Sequence, residues 1–143
     1  MIHFELVTLN GTKLKEDVHE VILPTPGGYI AVFKNHAPLV SLATPGVISI
    51  RRKDNHPDDM MDHYATNGGV IEIEDNSIRL LVDEADMADE LNEAEIKKAL
   101  EAARELRATA KDQVSLDQAQ QMIDRTAVRL KVADLRRSRR SRN

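Results

Sequence analysis

The sequence predicts a two-part fold: an N-terminal antiparallel β-sandwich over residues 1–85 and a C-terminal antiparallel hairpin of two helices over residues 86–143. The first part contains many short apolar runs separated by turn signals such as Asn10-Gly11, which is typical of sandwiches and barrels. From Asn92 onward the chain is rich in residues that form helices, and its apolar residues recur every three or four positions. That spacing is the period of a helix with one buried face.

The predicted strands run from Ile2 to Asp83. Residues 2–9 alternate between apolar and polar side chains, as a half-buried strand does. Proline in the stretch 21–42 stands only at strand ends, which suits its missing N–H donor. The other strands are predicted at 12–23 (in two pieces around Glu16-Asp17), 29–33, 39–42, 47–53, 60–66, 70–74 and 77–83.

Two helices are predicted after the sandwich. Asn92 with Glu95 forms a capping pair for the first helix, and Ser115 with Gln118 does the same for the second. The two apolar stripes are Ile96, Leu100, Ala103, Leu106 and Ala110 in the first helix, and Ala119, Ile123, Ala127, Leu130 and Ala133 in the second. Alanine buries little apolar area, so this seam stabilises the hairpin weakly. The hairpin should therefore depend on a docking surface, and the sequence leaves open whether it stays docked or moves between arrangements.

The composition limits the kinds of site that the chain can contain. It has 143 residues, a net charge of -4 and no cysteine, which leaves no disulfide and no thiolate metal ligand. No apolar run approaches the roughly 20 residues needed to cross a bilayer, and no signal segment follows Met1. We expect a protein that works where it is made and meets a membrane only through a partner.

Two segments that contain histidine are candidates for a catalytic or metal-binding site. Neither segment is predicted to have that role. His36 has no recognisable nucleophile or positioned carboxylate beside it, so a structural or interface role is predicted. The segment His56–His63 contains two imidazoles and three carboxylates that could bind a divalent metal. Its spacing matches no metal motif, and a solvated loop explains it equally. No phosphate-binding Gly-x-x-x-x-Gly-Lys occurs, and we predict no catalytic residue, no cofactor and no metal.

The C-terminal end carries the largest charge imbalance of the chain. Asp134 is the one acidic residue among Arg129, Lys131, Arg136, Arg137, Arg139, Arg140 and Arg142. Cations stabilise a helix C-terminus, and the stretch 138–143 is predicted to be a disordered tail. Such a patch can bind nucleic acid or anionic lipid. Because the rest of the chain is acidic and no aromatic platform accompanies the arginines, we predict no nucleic-acid partner.

Motifs spread over nearly the whole chain point to a family. They are the turn Pro24–Gly28, His36-Ala37-Pro38-Leu39, Pro45-Gly46 before an aliphatic strand, Asn67-Gly68-Gly69 and Leu91-Asn92-Glu93-Ala94. Together they resemble the epsilon subunit of F-type ATP synthases, of the bacterial or plastid type. The chain departs from that pattern where Ala31 replaces a common glycine, where Lys34-Asn35 replaces Pro-Gly, and where Tyr29 replaces a carboxylate that often faces the membrane rotor.

The resemblance implies a non-catalytic rotor subunit that binds the gamma subunit and the ring of c subunits and couples proton flow to ATP synthesis. The residues that would then face the ring and the stalk are Tyr29, His36, Pro38 and Leu39. The expected location is the cytoplasmic face of a bacterial cell membrane, or a plastid thylakoid, with membrane contact only through the complex.

The resemblance also implies that the helical hairpin can rise along gamma, reach the alpha and beta subunits and inhibit ATP hydrolysis. The residues predicted to pair with acidic beta-subunit surface in that state are Arg129, Lys131, Arg136 and Arg137. Some family members bind ATP through an Ile/Leu-Asp-x-x-Arg-Ala motif at the start of the first helix. Here Asn92, Glu95 and Ile96 replace its Asp, Arg and Ala. A glutamate facing phosphate is unfavourable, so no ATP binding is predicted.

Two other functions stay open at this point. A free-standing adaptor could use its basic helical tail to bind nucleic acid or an acidic protein. A metal-dependent enzyme could use the His56–His63 loop. Co-purification with alpha, beta and gamma subunits separates the rotor subunit from the adaptor.

Overall fold

The computed structural model describes residues 1–87 and 91–142, with side chains as far as 135. These residues form two five-stranded sheets, two α-helices and one short 3-10 helix at Asp58–Met60. The elements are β1 (Ile2–Thr8), β2 (Gly11–Val18), β3 (Glu20–Thr25), β4 (Gly28–Val32), β5 (Leu39–Ala43), β6 (Gly46–Arg51), β7 (Asp62–Thr66), β8 (Gly69–Glu74), β9 (Ser77–Val82), β10 (Ala85–Met87), α1 (Glu93–Thr109) and α2 (Gln113–Arg142). The strand order is β2-β1-β9-β8-β5 in the first sheet and β10-β7-β6-β3-β4 in the second. The predicted fold class, a sandwich followed by a helical hairpin, is confirmed.

The core lies between the two sheets and is mainly aliphatic. Ile2, Phe4 and Leu6 of β1 are fully buried, as their spacing of two along a strand predicts. They belong to one cluster with Ile48 of the second sheet and Ile71 of the first. The strand neighbours pair antiparallel except β1 and β9, which run parallel with Val7 opposite Leu81.

Two strand boundaries differ from the sequence prediction. The run 12–23 is divided at His19 and not around Glu16-Asp17, because β2 belongs to the first sheet and β3 to the second. The short strand β10 is absent from the prediction, and its pairing with β7 extends the sandwich to Met87, beyond the predicted limit at 85. Alanine and aspartate have low strand propensity, so only the pairing with β7 reveals this strand.

The helix starts are set by side chains that accept backbone hydrogen bonds. Asn92 Oδ1 accepts from the N–H groups of Ala94 at 3.1 Å and Glu95 at 3.3 Å, which confirms Asn92 as the cap of α1. The prediction that Ser115 caps the second helix is wrong. Asp112 Oδ1 accepts from the Ser115 N–H at 2.7 Å, so Asp112 caps the helix and α2 begins at Gln113. The negative charge of Asp112 at this end is also favourable to the helix dipole. No helix in the described part of the chain is long and apolar enough to cross a membrane.

The hairpin seam is shorter than the predicted stripes. Ile96, Leu100 and Ala103 of α1 are buried, as are Ala119 and Ile123 of α2. Predicted seam residues Leu106 and Ala127 are exposed instead. Leu130 still packs against the seam. Helix α2 has 30 residues and α1 has 17, so the C-terminal part of α2 extends past its partner helix.

The outer face of the second sheet is the surface on which α2 docks. Val132 is fully buried there against Val47 of β6 and Ala65 of β7, with Val128 and Leu135 beside it. These α2 residues recur at helical spacing but lie outside the predicted stripe. The sequence predicts that the hairpin needs a docking surface, and the second sheet of the sandwich provides it.

Candidate interaction surfaces

Tyr29 lies near the start of β4, the edge strand of the second sheet, and its side chain is half exposed. Its hydroxyl oxygen accepts a hydrogen bond from the Val47 N–H at 3.1 Å. A Cβ at Gly46 would lie 2.8 Å from that hydroxyl and 2.6 Å from the Pro24 Cβ, so only glycine fits at this position. Where the resemblance expects a carboxylate, the chain therefore presents an aromatic group that is held in place and still reaches solvent.

The other three residues predicted to face the ring and stalk are His36, Pro38 and Leu39, and they follow the far end of β4. The Asn35 N–H donates to Asn76 Oδ1 at 2.9 Å, which ties this segment to the turn between β8 and β9. Asn35 has a φ of 63°, in the left-handed region that asparagine tolerates better than most residues. This explains how Asn35 can replace the glycine of the family pattern. The structure brings His36, Pro38 and Leu39 together and sets Tyr29 at the opposite end of β4.

An apolar row crosses the outer face of the first sheet, and the sequence analysis missed it. Leu42 is opposite Val70, Val70 is opposite Leu81, and Leu81 is opposite Val7. Leu42 is 64% exposed, Leu81 is 37% exposed, and neighbouring Val40 is 77% exposed. Exposed apolar patches of this kind mark interaction sites. The available signal was that Leu42, Val70 and Leu81 are apolar at outward positions of their strands, where alternation predicts polar residues.

The basic side of α2 contacts the sandwich in this structure. Arg129 Nη2 lies 2.5 Å from Asp86 Oδ2 and 3.6 Å from Glu84 Oε1. Arg125 Nε lies 2.9 Å from the same Glu84 oxygen. Of the four residues predicted to face a beta subunit, Arg129 therefore has acidic partners within its own chain.

The remaining three residues of that prediction are Lys131, Arg136 and Arg137. Lys131 is exposed to solvent. The side chains of Arg136 and Arg137 lie outside the described residues. Helix α2 continues to Arg142, so the backbone is helical over most of the stretch 138–143 for which a disordered tail is predicted. The beta-subunit contact of these residues stays a prediction.

A cavity of about 250 Å³ lies where the hairpin meets the sandwich. Its lining residues are Asp86, Leu91, Asn92, Glu95, Ile96, Ala99, Thr126 and Arg129. It thus contains the positions that match the family's ATP motif. Asn92 is committed to capping α1, and Arg129 is paired with Asp86. A phosphate in this cavity would meet the carboxylates of Asp86 and Glu95, which is unfavourable.

Two of the three carboxylates of the His56–His63 loop, those of Asp58 and Asp62, contact arginines at the end of β6. Arg51 Nη2 lies 2.5 Å from Asp58 Oδ1, and this hydrogen bond is the main cause of the raised pKa of Arg51. Arg52 pairs with Asp62. Across residues 1–87 and 91–142, no group of three or more His, Asp or Glu side chains is placed to hold a metal ion. The loop geometry thus offers no support for the metal-dependent enzyme.

Comparison with known proteins identifies relatives for nearly the whole chain. The family model described as ATP synthase, Delta/Epsilon chain, beta-sandwich domain matches residues 1–88. The ATP synthase epsilon chain of Herpetosiphon aurantiacus is 31% identical over 139 residues, which cover 96% of this chain and 98% of that protein. The ATP synthase epsilon chain of Campylobacter concisus is 37% identical over 105 residues, covering 73% of this chain and 78% of that protein.

Solved structures share the fold at low sequence identity. A chain of the Euglena gracilis mitochondrial ATP synthase superimposes with a TM-score of 0.79 at 22% identity, covering 92% of this chain and 80% of that one. A chain of the Tetrahymena thermophila mitochondrial ATP synthase gives a TM-score of 0.59 at 13% identity, covering 90% and 93%. The family model, the curated relatives and the sandwich with its docked hairpin agree, and the chain belongs to the family of ATP synthase epsilon chains.

Proposed function

We propose that this protein is a non-catalytic central-stalk subunit of a proton-translocating F-type ATP synthase. In this role the sandwich binds the gamma subunit and the ring of c subunits, rotates with them and couples proton flow to ATP synthesis. The observation that carries the proposal is the exposed apolar row of the first sheet, in a chain of the epsilon family. Because the chain is similar to bacterial proteins, we propose the cytoplasmic face of the cell membrane as its location, with attachment through the complex.

Two separate surfaces of the sandwich are assigned to two partners. The apolar row ends at Leu42 of β5, and the exposed Val40 lies on the same face of that strand. We assign this surface to gamma. Tyr29 lies near the start of β4, the edge strand of the second sheet, whereas the apolar row lies on the first sheet. We assign the Tyr29 end to the ring, following the family pattern in which this position faces the rotor.

Charged substitutions in the apolar row test the gamma assignment. Leu42→Asp and Leu81→Asp should each abolish co-purification with gamma, because the new carboxylate would be buried unpaired in the contact. Met122→Asp is the matched control, since Met122 is an exposed apolar residue of α2 and not of the first sheet. Circular dichroism should show the same fold in all three variants. Normal co-purification of the folded Leu42→Asp and Leu81→Asp proteins would refute the assignment.

We further propose that the hairpin inhibits ATP hydrolysis when it leaves the sandwich. The supporting observation is that α2 docks through few large side chains, with valine and alanine at the centre of the contact. ATP hydrolysis by the assembled complex, with and without residues 88–143, measures this activity. Removal of the hairpin should raise hydrolysis, and an unchanged rate would exclude an inhibitory role in this enzyme.

A further inference from the structure

Two carboxylates of the sandwich face two arginines of α2 with matched spacing. Glu84 and Asp86 are two positions apart along extended backbone, which separates them by about 6.6 Å on one face. Arg125 and Arg129 are four positions apart on one helix face, about 6 Å along the axis. The three contacts between them measure 2.9, 3.6 and 2.5 Å. Strand and helix periods thus place Arg125 opposite Glu84, and Arg129 opposite both carboxylates.

These ion pairs lie beside the apolar contact between α2 and the second sheet. Its buried residues are Val47, Ala65 and Val132, and the partly buried Leu91, Val128 and Leu135 pack against them. The pairs themselves are partly exposed, with Arg129 at 29% and Asp86 at 26% of side-chain area. Such pairs contribute modestly and are weakened by salt. Docking therefore combines an apolar contact with a charge contribution that added salt can weaken.

We propose that Glu84, Asp86, Arg125 and Arg129 form a salt-sensitive latch that holds α2 on the second sheet without any bound ligand. Glu84 and Asp86 neutralise the two arginines, so the arginines need no bound anion to be stable beside the cavity at the hairpin. When α2 leaves the sheet, the same arginines become available to an acidic surface elsewhere. The consequence for hydrolysis rests on the proposed inhibitory role, whereas the latch itself belongs to the isolated chain.

Thiol labelling of the isolated full-length protein tests the latch. The chain has no cysteine, so Val132→Cys introduces a single thiol at a fully buried docking position. Its labelling rate reports how often α2 leaves the sheet. A second protein with Val18→Cys places the thiol in the sandwich core and reports opening of the sandwich. Lys131→Cys, at an exposed position, gives the rate without protection.

Neutralising the carboxylates should speed labelling at position 132 only. In the Val132→Cys background, the double change Glu84→Gln with Asp86→Asn should raise the labelling rate about fivefold. Added salt should raise the labelling rate more in the protein with both carboxylates than in the protein with the double change. The exposed neighbour change Asp83→Asn should leave it unaltered. Asp86→Arg should accelerate labelling, and adding Arg129→Asp should restore the slow rate by reversing the pair.

Two results would overturn the latch. One is a rate at position 132 that does not change when the carboxylates are neutralised. The other is an equal rise at position 18, which would show that the whole sandwich had been destabilised. Neither measurement involves the complex. Failure to bind gamma would therefore count against the proposed function alone, and an unchanged labelling rate would count against the latch alone.

Discussion

The guanidinium of Arg129 lies 2.5 Å from the carboxylate of Asp86, so the basic side of α2 is bound to the edge strand β10. This pairing means that Arg129 cannot serve an acidic beta-subunit surface while α2 is docked. Lys131 is exposed in the same helix. The two positions therefore affect the docked state differently, and this difference can be measured.

Two variants should alter ATP hydrolysis in opposite directions. One is Asp86→Asn, and the other changes Lys131, Arg136 and Arg137 together to alanine. The first removes the shorter of the two ion pairs of Arg129 and weakens docking, so inhibition should increase. The second removes cations that we predict to pair with beta only in the raised state, so inhibition should decrease. At about 0.2–1 kcal/mol for each exposed pair, we expect rate changes of about twofold to tenfold with assembly intact. A complex that is activated by hairpin deletion but not by the triple change would contradict the beta contact.

A fragment of residues 1–87 should fold without the helices and still bind gamma together with the ring. The sandwich has its own two-layer core, and β10 completes the second sheet at Met87. A fragment that ends at 83 is the matched comparison, and it should be less stable because it loses β10. Circular dichroism and co-purification measure both properties. An unfolded 1–87 fragment would show that α2 is needed to cover the second sheet.

The isolated protein should show no ATP affinity in the micromolar range. Asp86 and Glu95 oppose phosphate, and Arg129 is already paired. Isothermal calorimetry with and without magnesium measures this. The variant Asp86→Asn with Glu95→Gln serves as a comparison, since any latent affinity should appear there first. A saturable isotherm for the unmodified protein would contradict the prediction.

The start of α2 should depend on pH through Asp112. The Ser115 N–H donates to this carboxylate and lowers the pKa of Asp112 below its usual value of 3.8. A lowered pKa means that the capping form is fully present above pH 3.8 and is lost as the pH falls through the lower folded value. Secondary chemical shifts of residues 113–116 should show fraying in acid. Asp112→Asn keeps an acceptor that does not titrate, and equal fraying in this variant would exclude Asp112 as the cause.

Arg51→Met should destabilise the sandwich more than Arg79→Met. Arg51 Nε lies 2.8 Å from Glu20, and these side chains are only 15% and 11% exposed, so the change leaves a buried carboxylate without its cation. We expect a loss of about 3 kcal/mol in the free energy of unfolding. Arg79 is 56% exposed and lies 3.7 Å from Glu5, so its loss should cost less than about 1 kcal/mol. Urea unfolding measures both, and equal losses would contradict the burial argument.

Much of the fold follows from patterns that are local in the sequence. The alternation of Ile2, Phe4 and Leu6 predicts which face of β1 is buried, because a strand repeats every two residues. Asn92 predicts the start of α1, since its side chain caps N–H groups only two and three residues away. The same local reasoning fails at the second helix, where both Asp112 and Ser115 are good caps. The choice between them depends on where the hairpin turns.

The surfaces that matter for function were decided by the tertiary structure. Tyr29 meets the Val47 N–H, and Arg129 meets Asp86, across sequence separations of 18 and 43 residues, and no local period links such positions. Leu42 and Leu81 join one apolar row only because β8 stands between their strands. The sequence by itself determined the elements and the family, since hydrophobic periodicity, caps and turn motifs act over a few residues. Packing decided which side chains share a surface, because strand order and helix docking depend on contacts between distant parts of the chain.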